Sequence, residues 1–259
     1  MATPLKQMFN PAFFEKLCPV IQQAVPGFDC RDFIYQIFDR DWPDLELKQR
    51  IRQISKALHR LLPPPFSSAA NVLAAIADRL HREGIRGFQT MFLPDYVEVY
   101  GQRDPDIALD LMETITTLVS CEFAIRPFLA FHPEKVMPRM KLWSLHENAH
   151  VRRLSSEGCR PRLPWAARIP QLIENPKPIL TILENLKCDE DPAVRRSVAN
   201  NLNDIAKDHP RLVLKLFKRW QGTHPHTDWI LRHASRTLLK QAMPTLFHCM
   251  DLPPQAGQK

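Results

Sequence analysis

The chain has 259 residues, 44% hydrophobic and 24% charged, enough for one large domain or two ordinary ones, and its apolar content excludes general disorder. Its seven glycines do not fall at the offsets of a phosphate loop or dinucleotide-binding turn, whereas 24 prolines suit many short helices with proline in the first turn. The net charge of +7 is uneven: residues 1–120 hold 13 Lys and Arg against 15 Asp and Glu, and residues 121–259 hold 22 against 13. A polyanionic partner is therefore expected on the second half.

Six cysteines, Cys18, Cys30, Cys121, Cys159, Cys188 and Cys249, lie far apart and form no CxxC pair. That spacing disfavours a zinc ribbon, a redox motif and a secreted disulfide framework. The start, Met-Ala-Thr-Pro-Leu-Lys-Gln, has no apolar run of signal-peptide length, and no 18-residue apolar segment follows. A soluble protein of a reducing cytosol is the expectation.

Helical periodicity runs through the chain. Pro11 to Ala24 and Asp29 to Phe38 read as the first two helices. Over 45–62, Leu47, Ile51, Ile54, Leu58 and Leu61 recur at three and four, marking one helix face that Pro63-Pro64-Pro65 ends. A fourth helix is expected near Ser67–His81. Gly84, Gly87, Pro94 and Gly101 make 84–104 the least regular part, read as a loop with a short helix around 94–100.

From residue 105 an apolar residue followed by arginine recurs at Ile125-Arg126, Val151-Arg152, Val194-Arg195 and Leu231-Arg232. The spacings are 26, 43 and 37 residues. Asn148, Asp191 and Asp228 are expected as the helix N-caps of the last three copies, with Pro192 at a first helical position. Apolar helices at 133–144, 177–187 and 210–220 precede them. Helix pairs near a 40-residue period predict an all-α, HEAT-like repeat solenoid, a curved right-handed stack of antiparallel helix pairs. A single helical domain over 1–245 and a flexible tail over 246–259 are expected.

In the helix opened by Asp191, Val194, Val198, Asn201, Leu202 and Ile205 share one side, with Arg196, Asn200, Asn203, Asp204 and Lys207 opposite. In the helix opened by Asn148, Arg153, Glu157 and Arg160 point away from Val151 and Leu154. Ordinary ion pairs on a solvated face explain such mixed charges, and an arginine after the apolar position also serves structurally by bonding turn acids such as Asp191. Neither accounts for nine surplus positive charges, for which phosphate is the natural partner. His146-Glu147-Asn148-Ala149-His150 matches a metalloprotease pattern, but the cap at Asn148 leaves His146 outside the helix and no third ligand is evident, so no metal is expected. Arg160-Pro-Arg-Leu-Pro-Trp165 is either a rigid connector with a core tryptophan or an aromatic face beside Glu157 suited to a cationic ligand.

Several segments resemble one family. Phe9-Asn-Pro-Ala-Phe-Phe, Leu45-Glu-Leu-Lys-Gln-Arg-Ile-Arg, Met91-Phe-Leu-Pro-Asp-Tyr-Val-Glu and Glu122-Phe-Ala-Ile-Arg-Pro-Phe are similar to the AlkC family of DNA alkylation repair proteins, related to AlkD. So are Val151-Arg-Arg-Leu-Ser-Ser-Glu-Gly-Cys-Arg-Pro-Arg-Leu-Pro-Trp and Val198-Ala-Asn-Asn-Leu-Asn-Asp-Ile, and the resemblance runs over about residues 5–242. It implies a DNA glycosylase that excises cationic methylated bases, 3-methyladenine and 3-methylcytosine, without flipping them into a pocket. It implies Glu122, Glu157, Trp165 and Asp204 as active-site residues, with Glu122 also at an expected N-cap. Some members carry a further immunoglobulin-like domain, which is not expected within these 259 residues.

Alkylation at a ring nitrogen such as N3 makes the base cationic and a good leaving group. Carboxylates set against the oxocarbenium charge would stabilise the transition state, and one could orient water. Double-stranded DNA with alkylated bases is the expected partner, with Arg153, Arg160, Arg162, Arg196, Arg232 and Arg236 on phosphates. A monomer without metal, nucleotide or other cofactor is expected. The alternative is a non-catalytic HEAT-repeat scaffold that binds DNA.

Overall fold

A computed structural model describes residues 4–240, with side chains through 238. Among the described residues the chain is all-helical, with no strand. It divides into two compact units, Met1–Val136 and Met137–Lys259. The proposed tail, 246–259, lies outside the described residues.

The first unit holds α1 (Pro11–Ala24), α2 (Cys30–Ile37), α3 (Leu47–Leu61), α4 (Phe66–Arg82), α5 (Phe92–Tyr100), α6 (Pro105–Ile115) and α7 (Ile125–Phe131). Local chemistry starts the first two helices. Asn10 Oδ1 accepts from the Phe13 amide at 3.0 Å, and Asp29 takes the amides of Arg31 and Asp32 at 2.8 and 3.1 Å. Two rows form: α1, α4 and α6 pack in succession, and α2, α3, α5 and α7 form the other. The segment read as mostly loop is more ordered than expected. A 3-10 turn at Gly87–Thr90 leads into α5, which starts two residues before the predicted helix because Pro94 is tolerated in a first turn. Phe92, Leu93, Tyr96 and Val97 bury that helix.

The unit boundary falls inside α8 (Pro133–Trp143). The second unit continues with α9 (Ala149–Glu157), α10 (Pro170–Glu174), α11 (Lys177–Leu186), α12 (Pro192–Ala206), α13 (Pro210–Trp220), α14 (Pro225–Ala234) and α15 (Arg236–Lys240). Helix α12 lies between α9 and α14, while α11 packs behind α9 and α12 and α13 behind α12 and α14. This is the HEAT-like arrangement of paired helices. Val194, Val198, Leu202 and Ile205 are almost wholly buried, each contributing about 1.5–3 kcal/mol of burial.

Two of the recurring arginines, Arg152 and Arg195, are structural. Arg152 donates to the carbonyls of His146 and Glu147 at 2.9 and 2.7 Å, and Arg195 repeats this on Asp189 and Glu190 at 2.9 and 2.6 Å. Arg152 also grips the Asp189 carboxylate at 2.6 and 3.1 Å. The turn acid engaged is thus Asp189, whereas Asp191 caps α12 through the amides of Ala193 and Val194. The last copy departs from the expected register. Its N-cap is His224, which accepts from the His226 amide at 3.1 Å ahead of Pro225. Asp228 lies inside α14 and accepts from the Gly222 amide at 2.8 Å.

Candidate active site

The sequence places Glu157 and Asp204 on exposed helix faces, but the structure buries both, at 6% and 2% exposure. The cause is the close packing of α9 on α12 through small polar groups. Ser156 and Ser197 hydroxyls meet at 2.6 Å, and the Asn201 amide donates to the Ser156 carbonyl at 2.8 Å. This close approach draws the end of α9 and the last turn of α12 under cover.

Arg160 joins the two acids. Its Nη1 donates to Glu157 Oε1 at 2.7 Å, and its Nε donates to Asp204 Oδ2 at 2.9 Å. Burial disfavours the cation, but the charges of Glu157 and Asp204 and their hydrogen bonds outweigh it, so the guanidinium pKa stands above its ordinary value. Lys207 Nζ takes the other Asp204 oxygen at 3.1 Å, with 41% of its side chain exposed. Glu157 Oε2 has no hydrogen-bond partner among the described residues. Arg160 was expected on phosphate; only 10% of its side chain is exposed, and its guanidinium is committed to two carboxylates.

After Arg160 the chain makes a closed excursion. The Ile169 amide donates to the Pro161 carbonyl at 3.4 Å, and Pro161, Leu163 and Ile169 are buried. Trp165 stands on it 71% exposed, with φ at +63°. The core-tryptophan reading therefore fails. A left-handed backbone at a bulky residue costs about 1–3 kcal/mol.

Glu122 belongs to the first unit. It is not the N-cap expected of it: that position is Ala124, and Glu122 accepts from the Ser120 hydroxyl at 2.8 Å.

The other expected cations divide. Arg162 is paired with Asp208 at 2.8 Å, and Arg153 is half-buried on α9. Arg196, Arg232 and Arg236 are exposed. Arg236 donates to Asn200 at 2.8 Å, which holds it against the polar side of α12. Burial, then the charges of Arg236 and Arg196, pushes the His233 imidazole pKa below its ordinary value. His233 also stacks on Trp229 at 5.0 Å, and Arg195 lies over that indole at 5.9 Å. The His233–Trp229 pair is an addition to the residues singled out from sequence, where Lys207 figured only among the polar residues of its helix. Aromatic spacing of four on one helix is the signal that could have found the pair.

His146 precedes α9 and accepts from the Asn148 amide at 2.9 Å, so the two histidines of the His-Glu-x-x-His match do not share a helix. Among the described residues, no three His, Cys, Asp or Glu side chains converge as metal ligands. No helix there is long and apolar enough to cross a membrane.

Comparison with known proteins gives the family. The DNA alkylation repair enzyme family matches residues 49–238. An uncharacterized protein, YhaZ, of Bacillus subtilis (strain 168) is 44% identical over 237 residues, which cover 92% of this chain and 65% of YhaZ. The structure of the alkylpurine DNA glycosylase AlkC of Pseudomonas fluorescens, bound to DNA containing an abasic site analog, superposes with a TM-score of 0.89 at 39% identity. That match covers 96% of this chain and 69% of AlkC. The chain belongs to the DNA alkylation repair enzyme family.

Proposed function

We propose that this protein is a DNA glycosylase that hydrolyses the N-glycosidic bond of cationic N-alkylated bases, 3-methyladenine and 3-methylcytosine among them, in base excision repair. The observation that carries this reading is the pair of buried carboxylates, Glu157 and Asp204, gathered on one guanidinium within the basic half of the chain. The repeat does not require acids there. One period on, the positions of Glu157 and Arg160 are taken by Asn200 and Asn203, which hold Arg236 and the Thr237 amide. Acids near a DNA surface weaken phosphate affinity, so their retention asks for a chemical use.

The alkylated base leaves with the electron pair of its bond to C1′, which cancels its positive charge. Water adds to C1′, loses a proton, and leaves an abasic site. Glu157 and Asp204 act electrostatically on the oxocarbenium-like sugar, and Glu157, with an open oxygen, orients the water. Trp165 offers its face to the cationic base, worth about 0.5–2 kcal/mol. We assign Glu122 a supporting role, and Arg153, Arg162, Arg196, Arg232 and Arg236 to phosphates of double-stranded DNA. The reaction needs no oxidant, nucleotide or metal, and one chain, acting at the nucleoid, is the working unit. Resemblance to a family whose members leave the base unflipped, together with the exposed Trp165, supports action without a base pocket.

Asp204→Asn tests the assignment. Release of 3-methyladenine should fall by about 100-fold or more, the scale for removing one preorganised electrostatic contact, while DNA affinity stays equal or rises. Unchanged release would remove Asp204 from the mechanism.

A further inference from the structure

The arginine between the two acids is no bystander to them. Three groups of one cluster, Glu157, Arg160 and Asp204, each have side-chain exposure of 10% or less. Two carboxylates gathered on one buried group and shielded from water repel each other unless a cation sits between them. Arg160 is that cation, and its geometry suits it: Nε and Nη1 diverge from one rigid plane, so one guanidinium fixes an oxygen of each acid. A lysine offers a single point charge and cannot hold that fork.

The partners differ in how they are held. Arg160 reaches Glu157 within one turn and Asp204 across 44 residues of sequence, from the end of α9 to the last turn of α12. It therefore ties together the two helices that carry the acids. Lys207, on the solvent side of Asp204, is a flexible and partly exposed second counterion. With Lys207 in place the four charges cancel. When Lys207 is drawn elsewhere, one negative charge remains, which matches one cationic base.

We propose that Arg160 is the positioning residue of this site: a buried counterion whose fork holds Glu157 and Asp204 at fixed separation before DNA arrives. It touches neither phosphate nor base. The assignment rests on the glycosylase reading for its catalytic consequence, but the counterion role stands on the ion pairs alone.

The test uses Arg160→Met, which keeps bulk and removes charge, and Arg160→Lys, which keeps charge and loses the fork. Base release and melting temperature are followed from pH 5 to pH 8. For Arg160→Met, kcat/KM at pH 7 should fall by about 100-fold, its acid limb should move up by about one pH unit, and Kd for DNA should change less than about threefold. Its melting deficit against wild type should shrink as pH falls, because protonation relieves buried negative charge that Lys207 alone does not offset. Arg160→Lys should recover part of the rate and most of the acid limb. A larger Kd with a salt dependence reduced by about one phosphate contact would instead make Arg160 a DNA ligand and overturn the proposal. A melting deficit equal at every pH, with an unmoved acid limb, would overturn it as well. Wild-type protein that releases no base would overturn the glycosylase reading alone, and the melting comparison would still decide the counterion role. Should Arg160→Met not fold, Arg160→Lys carries the same comparisons.

Discussion

Replacing Trp165 with glycine separates what the fold needs from what the reaction needs. The residue is 71% exposed with φ at +63°. Glycine relieves a left-handed strain of about 1–2 kcal/mol and costs about 0.5–1 kcal/mol in extra unfolded freedom. The covered share of the indole, roughly 70 Å² of a side chain that size, is worth at most about 1.5–2 kcal/mol. These contributions leave a net change centred near 1 kcal/mol and of at most about 2 kcal/mol, a melting shift of no more than about 8 °C. Loss of the aromatic face should cost about 0.5–2 kcal/mol of transition-state stabilisation, a two- to thirtyfold drop in kcat/KM for release of 3-methyladenine. Calorimetry and single-turnover base release on the same preparation decide the matter. A melting drop of about 10 °C with release intact per folded molecule would mean that Trp165 is a packing residue, whose loss costs about 3–5 kcal/mol, and would refute the argument.

Arg152→Ala should act on stability alone. It strips the Asp189 carboxylate and two turn carbonyls of their donor, costing about 2–3 kcal/mol in urea denaturation while kcat per folded molecule stays near wild type. Arg196→Ala and Arg232→Ala should each weaken DNA binding on any sequence and lower the slope of log K against log salt by about 0.9; an unchanged slope removes that arginine from the interface. His233 supplies a pH dependence. Its folded pKa lies below the ordinary value of about 6.5, so its share of stability is present above that value and lost as pH falls through the lower folded one. A phosphate set against Arg196 and Arg236 offsets their repulsion of the imidazolium, so DNA affinity should rise more steeply with falling pH in wild type than in His233→Gln. Equal slopes would place the phosphate elsewhere.

The helices were legible wherever a cap, a first-turn proline and a period of three to four coincided. Pro11 after Asn10, and Pro192 after Asp191, set their helices without reference to distant parts of the chain. The last copy misled because Asp228 is a good cap by type, while the acceptor in use is the ring of His224 before Pro225. Glu157, Asp204 and Trp165 could be named from motifs, but their surroundings could not. A helical wheel shows α12 turning Asp204 away from its apolar side, yet α9 covers that side through contacts some 44 residues distant. The same blindness put Arg160 on phosphate: three residues after Glu157 it reads as a surface ion pair, and only the packing of α9 on α12 makes it a bridge. Trp165 was open to two readings because a rigid Pro-rich connector can turn an indole inward or outward, and the positive φ found there has no signature in the residues.

The central claim is that two buried carboxylates serve the departure of a cationic base. Duplex DNA treated with a methylating agent should be incubated with the protein and a chelator, and the small molecules freed should be weighed by mass spectrometry. The account predicts free 3-methyladenine or 3-methylcytosine, with matching abasic sites in the DNA and no sensitivity to the chelator. DNA that stays bound yet yields no methylated base at any pH from 5 to 8 would contradict it and leave a helical-repeat protein that binds DNA without acting on it.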